Sequence, residues 1–111
     1  MGSREFGLGM ESGPRRALRV GVVGAGVMGS NHARVLASLP DVSLTGVVDP
    51  LEAHRKRATE LANCRTFDSL EALLDAGVDA VTIAAPTHLH HEISLACIAR
   101  RIHVQIGRAH V

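Results

Sequence analysis

The sequence predicts an α/β fold, a parallel sheet with helices wound on both faces. Three observations lead there. An apolar run, Leu18 to Val23, passes directly into Gly24-Ala25-Gly26-Val27-Met28-Gly29. Short apolar runs then alternate with helical stretches through brief loops, the pattern of successive βα units joined by right-handed crossovers. The 111-residue chain is 46% apolar yet has no Trp or Tyr, so its core must be Val, Leu, Ile and Ala, as suits strands buried on both faces.

The elements follow in order. Leu18 to Val23 is the first strand. From Val27 to Leu39 the residues Met28, His32, Val35, Leu36 and Leu39 recur at helical spacing and form one expected buried stripe, ended by Pro40 and Asp41. Val42 to Val48 is a second strand, closed by Asp49 and Pro50. Leu51 to Leu61 is a charged helix whose basic run, His54 to Arg57, is expected to be a solvated face. Cys64 to Phe67 is a brief third strand. Asp68-Ser69-Leu70-Glu71 resembles a capping box, with Asp68 as cap; Leu70, Leu73 and Leu74 give the buried face and Gly77 the stop. Ala80 to Ala84 is a fourth strand, His90 to Arg100 a helix, and Ile102 to Gln105 the start of a fifth strand. This is a Rossmann-type doubly wound sheet of about five strands. Its expected order is 3-2-1-4-5, with a ligand crevice where strands 1 and 4 diverge.

The ends read differently. Residues 1–17, rich in Gly with one Pro, are expected to be a flexible leader, and Met10 is an alternative start. The last six residues, Ile106-Gly107-Arg108-Ala109-His110-Val111, are what ATCGGAAGAGCACACGTC, the opening of a common sequencing adapter, encodes. Native sequence is therefore expected to stop near Gln105, which leaves a dinucleotide-binding domain at 18–105 and a non-native tail at 106–111.

The glycine loop carries the chemistry. Glycines at this spacing turn the chain out of a strand, bring bare backbone against a pyrophosphate and let the next helix pack close. That helix offers unpaired N–H groups and a partial positive charge. Asp49 stands 20 residues beyond Gly29 at the end of the second strand. Its carboxylate can accept hydrogen bonds from the adenosine ribose hydroxyls, and it would repel a 2′-phosphate. Pro50 beside it offers no cation. NAD is favoured over NADP, and Arg55 is the one residue placed to upset that preference. Asp49 can also cap the helix starting at Leu51. Other nucleotide folds fit less well: S-adenosylmethionine sites usually read G-x-G-x-G, short-chain dehydrogenases T-G-x-x-x-G-x-G, and flavoproteins usually carry Glu where Asp49 stands.

Residues 82–93 read Thr-Ile-Ala-Ala-Pro-Thr-His-Leu-His-His-Glu-Ile. Pro86 opens a loop over the crevice, with Thr87 and His90 at the start of the next helix. Together with Gly26 to Leu36 this stretch resembles the Gfo/Idh/MocA (glucose–fructose oxidoreductase / inositol dehydrogenase) family. Its members read roughly T-P-[NT]-x-x-H-x-E-I-A-L-A-A, then A-G-K-H-V-x-x-E-K-P. Pro86, Thr87, His90, Glu92, Ile93, Leu95 and Ala96 match the first part; His103 and Val104 match within the second. The resemblance covers residues 19 to about 105. Motif and resemblance together give a cofactor-binding set of Gly24, Gly26, Val27, Met28, Gly29, Asp49, Ala85, Pro86, Thr87 and His90.

The resemblance implies a parent enzyme, homo-oligomeric, that oxidises a secondary alcohol of a sugar, nucleotide-sugar or cyclitol with NAD; free thiols and the lack of a secretory h-region make the cytoplasm its expected place. Two departures stand out. Arg101 replaces the glycine that would end the helix, so that end is expected to be rebuilt. The family's E-K-P segment is missing after Gln105, and its acid/base residues belong to a C-terminal substrate domain. No catalytic residue is therefore expected within this chain, which would by itself be inactive. An NADH-sensing module without chemistry is the second class compatible with the same residues. A hydroxyacid dehydrogenase is disfavoured by Pro86 to Ile93.

Composition excludes other partners. A formal net charge of +1 lacks the concentrated basic face of a nucleic-acid binder. No apolar run is long enough to span a membrane. Cys64 and Cys97 lack metal or redox spacing and are expected as buried free thiols. His88 and His91 could share a helix face, but no third ligand completes a metal set.

Overall fold

A computed structural model describes residues 16–106. β1 (Leu18–Val23), β2 (Val42–Val48), β3 (Thr66–Phe67), β4 (Ala80–Ile83) and β5 (His103–Ile106) form one sheet, joined by α1 (Val27–Ala37), α2 (Glu52–Ala62), α3 (Leu70–Ala76) and α4 (His90–Ala99). The strand order is β3-β2-β1-β4-β5 and every pairing is parallel, the Rossmann-type order the sequence predicts. The expected leader and tail lie outside the described residues, apart from Arg16, Ala17 and Ile106, the last residue of β5.

Alternation along the strands builds two cores. Val22 and Val47 face α1 and α2 and meet Ala25, Ala33 and Ala58. Val23, Val48, Val81 and Ile83 belong to the other core, against Leu73 and Leu74 of α3 and Ile93 and Cys97 of α4. Successive side chains of a strand point to opposite faces, so β1 and β2 serve both layers. Leu73 is fully buried, and a side chain of that size contributes about 1.5–3 kcal/mol when removed from water. Of the two free thiols, Cys97 is buried and Cys64 only half-buried; desolvation raises the pKa of both.

Three local expectations are corrected. The fully buried face of α1 is not the stripe of large apolar residues but Gly29, Ser30 and Ala33; of that stripe Leu36 packs half-buried against the core, while Val35 and Leu39 are exposed. The reason is distance. A Cβ on Gly29 would run into the Gly24 carbonyl oxygen, so only small residues fit between helix and sheet. The cap of α3 is Ser69, whose side chain accepts the Ala72 N–H at 3.2 Å, rather than Asp68. The helix starts at Leu70, and an N-cap must immediately precede that residue. The end of α4 is not rebuilt. Arg101 itself adopts the left-handed conformation, φ 60°, and Arg101 and Ile102 donate to the carbonyls of Ile98 and Cys97 at 2.9 Å. The glycine-type ending survives without its glycine, at a cost in steric strain.

At the N-terminal foot of the sheet Asp79 ties β4 to β1. Its carboxylate accepts the Arg19 backbone N–H and Nη2–H, both at 2.9 Å, and the Asp79 N–H returns a bond to the Arg19 carbonyl at 2.8 Å. The Arg19 guanidinium and N–H hold the Asp79 carboxyl down at about 2.

Two outcomes follow from these contacts. Arg101→Gly should raise unfolding free energy by about 0.5–1 kcal/mol, because glycine occupies the left-handed region without strain; a chemical denaturation curve measures it. Asp79 should contribute full stability above its unfolded value of 3.8 and lose it as pH falls toward about 2. Thermal midpoints across that range should fall more steeply in the wild type than in Asp79→Asn.

Candidate cofactor site

β1, β2 and β4 end at one edge of the sheet. The Gly24 N–H donates to the Val48 carbonyl at 2.8 Å and the Ala84 N–H to the Val23 carbonyl at 2.7 Å, so the ladders run to the last residue of each strand. There the chain leaves β1 at Gly24, whose φ is +103°, a conformation side chains rarely tolerate. A Cβ at Gly24 would also stand 2.9 Å from the backbone of Ala84 and Ala85. Glycine thus lets the first turn press against the loop after β4.

Gly26 is different. Its φ of −69° suits any residue, and a Cβ there would meet nothing within 4 Å. The fold does not demand a glycine, but the open space beside it needs a bare backbone if a ligand is to approach. Gly26 is the N-cap of α1, and no side chain caps the first-turn N–H groups. The buried Ser30 hydroxyl donates to the Ala25 carbonyl at 2.9 Å and stiffens the loop. Free amides, the positive end of a helix dipole and a bare approach suit a pyrophosphate. Val27 is exposed and Met28 half-buried at the lip of this turn.

Asp49 is buried at the end of β2. One carboxylate oxygen, Oδ1, accepts the Leu51 N–H at 2.9 Å and so closes the turn into α2. The other, Oδ2, accepts the Ala25 N–H at 2.9 Å and faces His54 Nδ1 at 3.1 Å. Burial alone would raise the carboxyl pKa; the Ala25 and Leu51 N–H groups and the His54 ring outweigh it and hold the group below its ordinary value. An ionised carboxylate only accepts, so Nδ1 carries the proton that His54 donates. Arg55 Nη1 donates to the Asp49 carbonyl at 2.8 Å. The basic run is therefore not one solvated face: His54 and Arg55 turn toward Asp49, while Lys56 and Arg57 are exposed. Sequence reasoning missed His54, whose only signal was its place five residues after Asp49.

The loop after β4 holds the remaining residues. Ala85 is half-buried; Pro86 and Thr87 are exposed, and Thr87–Leu89 form one 3₁₀ turn closed by a Leu89 N–H bond to the Pro86 carbonyl at 3.0 Å. His90 turns back on this loop, with Nε2 2.8 Å from the Ala85 carbonyl. A carbonyl only accepts, so Nε2–H donates and the ring clasps the loop. The structure thus brings Gly24, Gly29 and Ala85 together, links Asp49 to the glycine loop, and ties His90 to Ala85. A cavity of about 580 Å³ lies elsewhere, between α1 and the face of β4 and β5, and includes none of these residues. Among the described residues no group of three or more His, Cys, Asp or Glu could hold a metal ion, and no helix is long and apolar enough to cross a membrane.

Residues 18–107 match the family described as oxidoreductase family, NAD-binding Rossmann fold, Gfo/Idh/MocA. The chain is 42% identical over 92 residues to inositol 2-dehydrogenase 4 of Saccharopolyspora erythraea, covering 80% of this chain and 27% of that one. It is 38% identical over 94 residues to UDP-N-acetylglucosamine 3-dehydrogenase of Acidithiobacillus ferrooxidans, covering 82% and 28%. The crystal structure of GenD2 from gentamicin A biosynthesis in complex with NAD superposes with a TM-score of 0.74 at 35% identity, over 88% of this chain and 28% of that one. The chain thus spans about a quarter of the length of the curated relatives it matches. An open glycine cradle on an uncapped helix, an acid closing the second strand and a matched sequence across the whole sheet place this chain in the Gfo/Idh/MocA oxidoreductase family, as an NAD-binding Rossmann domain.

Proposed function

We propose that this chain is the cofactor-binding part of a dehydrogenase that oxidises a secondary alcohol of a cyclitol, sugar or nucleotide-sugar. The observation that carries the proposal is the joining of the bare Gly26 cradle to the Asp49 carboxylate through the Ala25 N–H. The amides from Gly26 to Gly29 hold the pyrophosphate. Asp49 accepts from the adenosine ribose, and its charge disfavours a 2′-phosphate. Ala85, Pro86 and Thr87, clasped by His90, border the nicotinamide ribose. NAD, when bound, supplies the hydride acceptor for the alcohol carbon. The hydroxyl proton needs a base, and His90 does not serve, since its Nε2–H is committed to Ala85. No residue between 18 and 106 is assigned that role. The dehydrogenase names of the relatives support the substrate class.

The two helix-turn glycines separate binding from folding. Gly26→Ala should keep its thermal midpoint and weaken NADH binding by at least about tenfold, because the added methyl occupies the approach to the amides. Gly29→Ala should instead lower stability by about 1–3 kcal/mol or more through overpacking. Fluorescence titration and thermal melts distinguish the two. NADH should bind more tightly than NADPH, and Asp49→Ala should cost about ten- to hundredfold in NADH affinity. Calorimetry showing a preference for NADPH would sink the role given to Asp49.

A further inference from the structure

The acceptor assigned to the adenosine ribose is held by more than its own strand. Three donors from three segments converge on the Asp49 carboxylate: Ala25 of the glycine loop, Leu51 of the turn, and His54 on α2. A carboxylate offers about four lone-pair sites, two on each oxygen. Ala25 and His54 together fill Oδ2, and Leu51 takes one site on Oδ1. One direction, on Oδ1, is left open. Two backbone donors alone would leave a site on each oxygen, and the ribose could approach either.

We propose that His54 is the positioning residue of the cofactor site: it fixes the plane of the Asp49 carboxylate and leaves Oδ1 as the oxygen that meets the ribose. The assignment rests on Asp49 being the ribose acceptor. His54 comes from a backbone that is itself anchored. Arg55, its neighbour on α2, holds the Asp49 carbonyl at 2.8 Å, so the start of the helix stays against the end of β2. The His54 side chain is 41% exposed, so its removal leaves both cores intact. Its effect passes through Asp49 and not through contact with the cofactor.

The test is a fluorescence titration of the 111-residue chain with NADH, run on the wild type and on His54→Ala, His54→Asn, Asp49→Ala and the double variant Asp49→Ala/His54→Ala. His54→Ala should weaken binding by about three- to tenfold, the net worth of one hydrogen bond. His54→Asn should restore most of it, because the Asn amide can donate from nearly the place of Nδ1. In the Asp49→Ala background the His54 substitution should cost nothing further, since the two act as a unit. The proposal falls if His54→Ala binds like the wild type while Asp49→Ala is impaired, if Asn does not rescue, or if the loss persists without Asp49. Wild-type binding by Asp49→Ala would instead overturn the ribose assignment itself, and His54 with it.

Discussion

How closely α1 can approach the end of β1 sets the rest of this structure. The Gly29 backbone lies against the Gly24 carbonyl, with no room for a Cβ. That contact aims the helix N-terminus across the ends of the strands, and it forces the buried face of α1 to be small. Ser30 and Ala33 follow from the same limit, as does the exposure of Val35 and Leu39. The pressure of Gly24 on Ala84 and Ala85 carries the constraint across to β4. One short distance thus places the uncapped first-turn amides of α1 and the loop beyond β4 in a single frame.

Electrostatics then divides the sheet lengthwise. At its foot Asp79 is met by a cation, and the pair locks β1 to β4. At its upper edge Asp49 is met by two backbone amides and a ring N–H of His54, with no arginine on the carboxylate. An arginine on Asp49 would satisfy the carboxylate and end its use as an acceptor. Three single donors leave one of its lone pairs to spare. Arg55 respects this division by bonding to the carbonyl of Asp49 and not to its carboxylate.

The fold was legible because its signals are local and mutually consistent: apolar runs, short loops and a glycine motif at a strand end. Strand order followed from crossover handedness, and Asp49 from its spacing beyond Gly29. What the sequence concealed depends on tertiary distance. The apolar stripe of α1 obeys helical periodicity, but periodicity does not say how near the sheet stands. Asp68 and Ser69 are both good caps, and only the position of the helix start separates them. His54 and Arg55 look like surface charge because Lys56 and Arg57 follow them; their inward turn arises from where the end of β2 delivers Asp49. Arg101 shows the converse, since the bonds at the end of α4 impose a left-handed residue whichever side chain is present.

The bond from Ala25 to Asp49 has a thermodynamic consequence. One carboxylate pins the glycine loop to the end of β2 and, on the proposed reading, also accepts from the ribose, so a single proton undoes both. Its pKa is held below the ordinary value in the fold, which means the charge persists into mild acid and its stabilising effect fades only as pH drops further. Loop anchoring and cofactor affinity are therefore one titration seen from two sides. A cofactor that engages Asp49 lowers that pKa again, and by the same linkage the bound molecule makes the loop harder to loosen with acid.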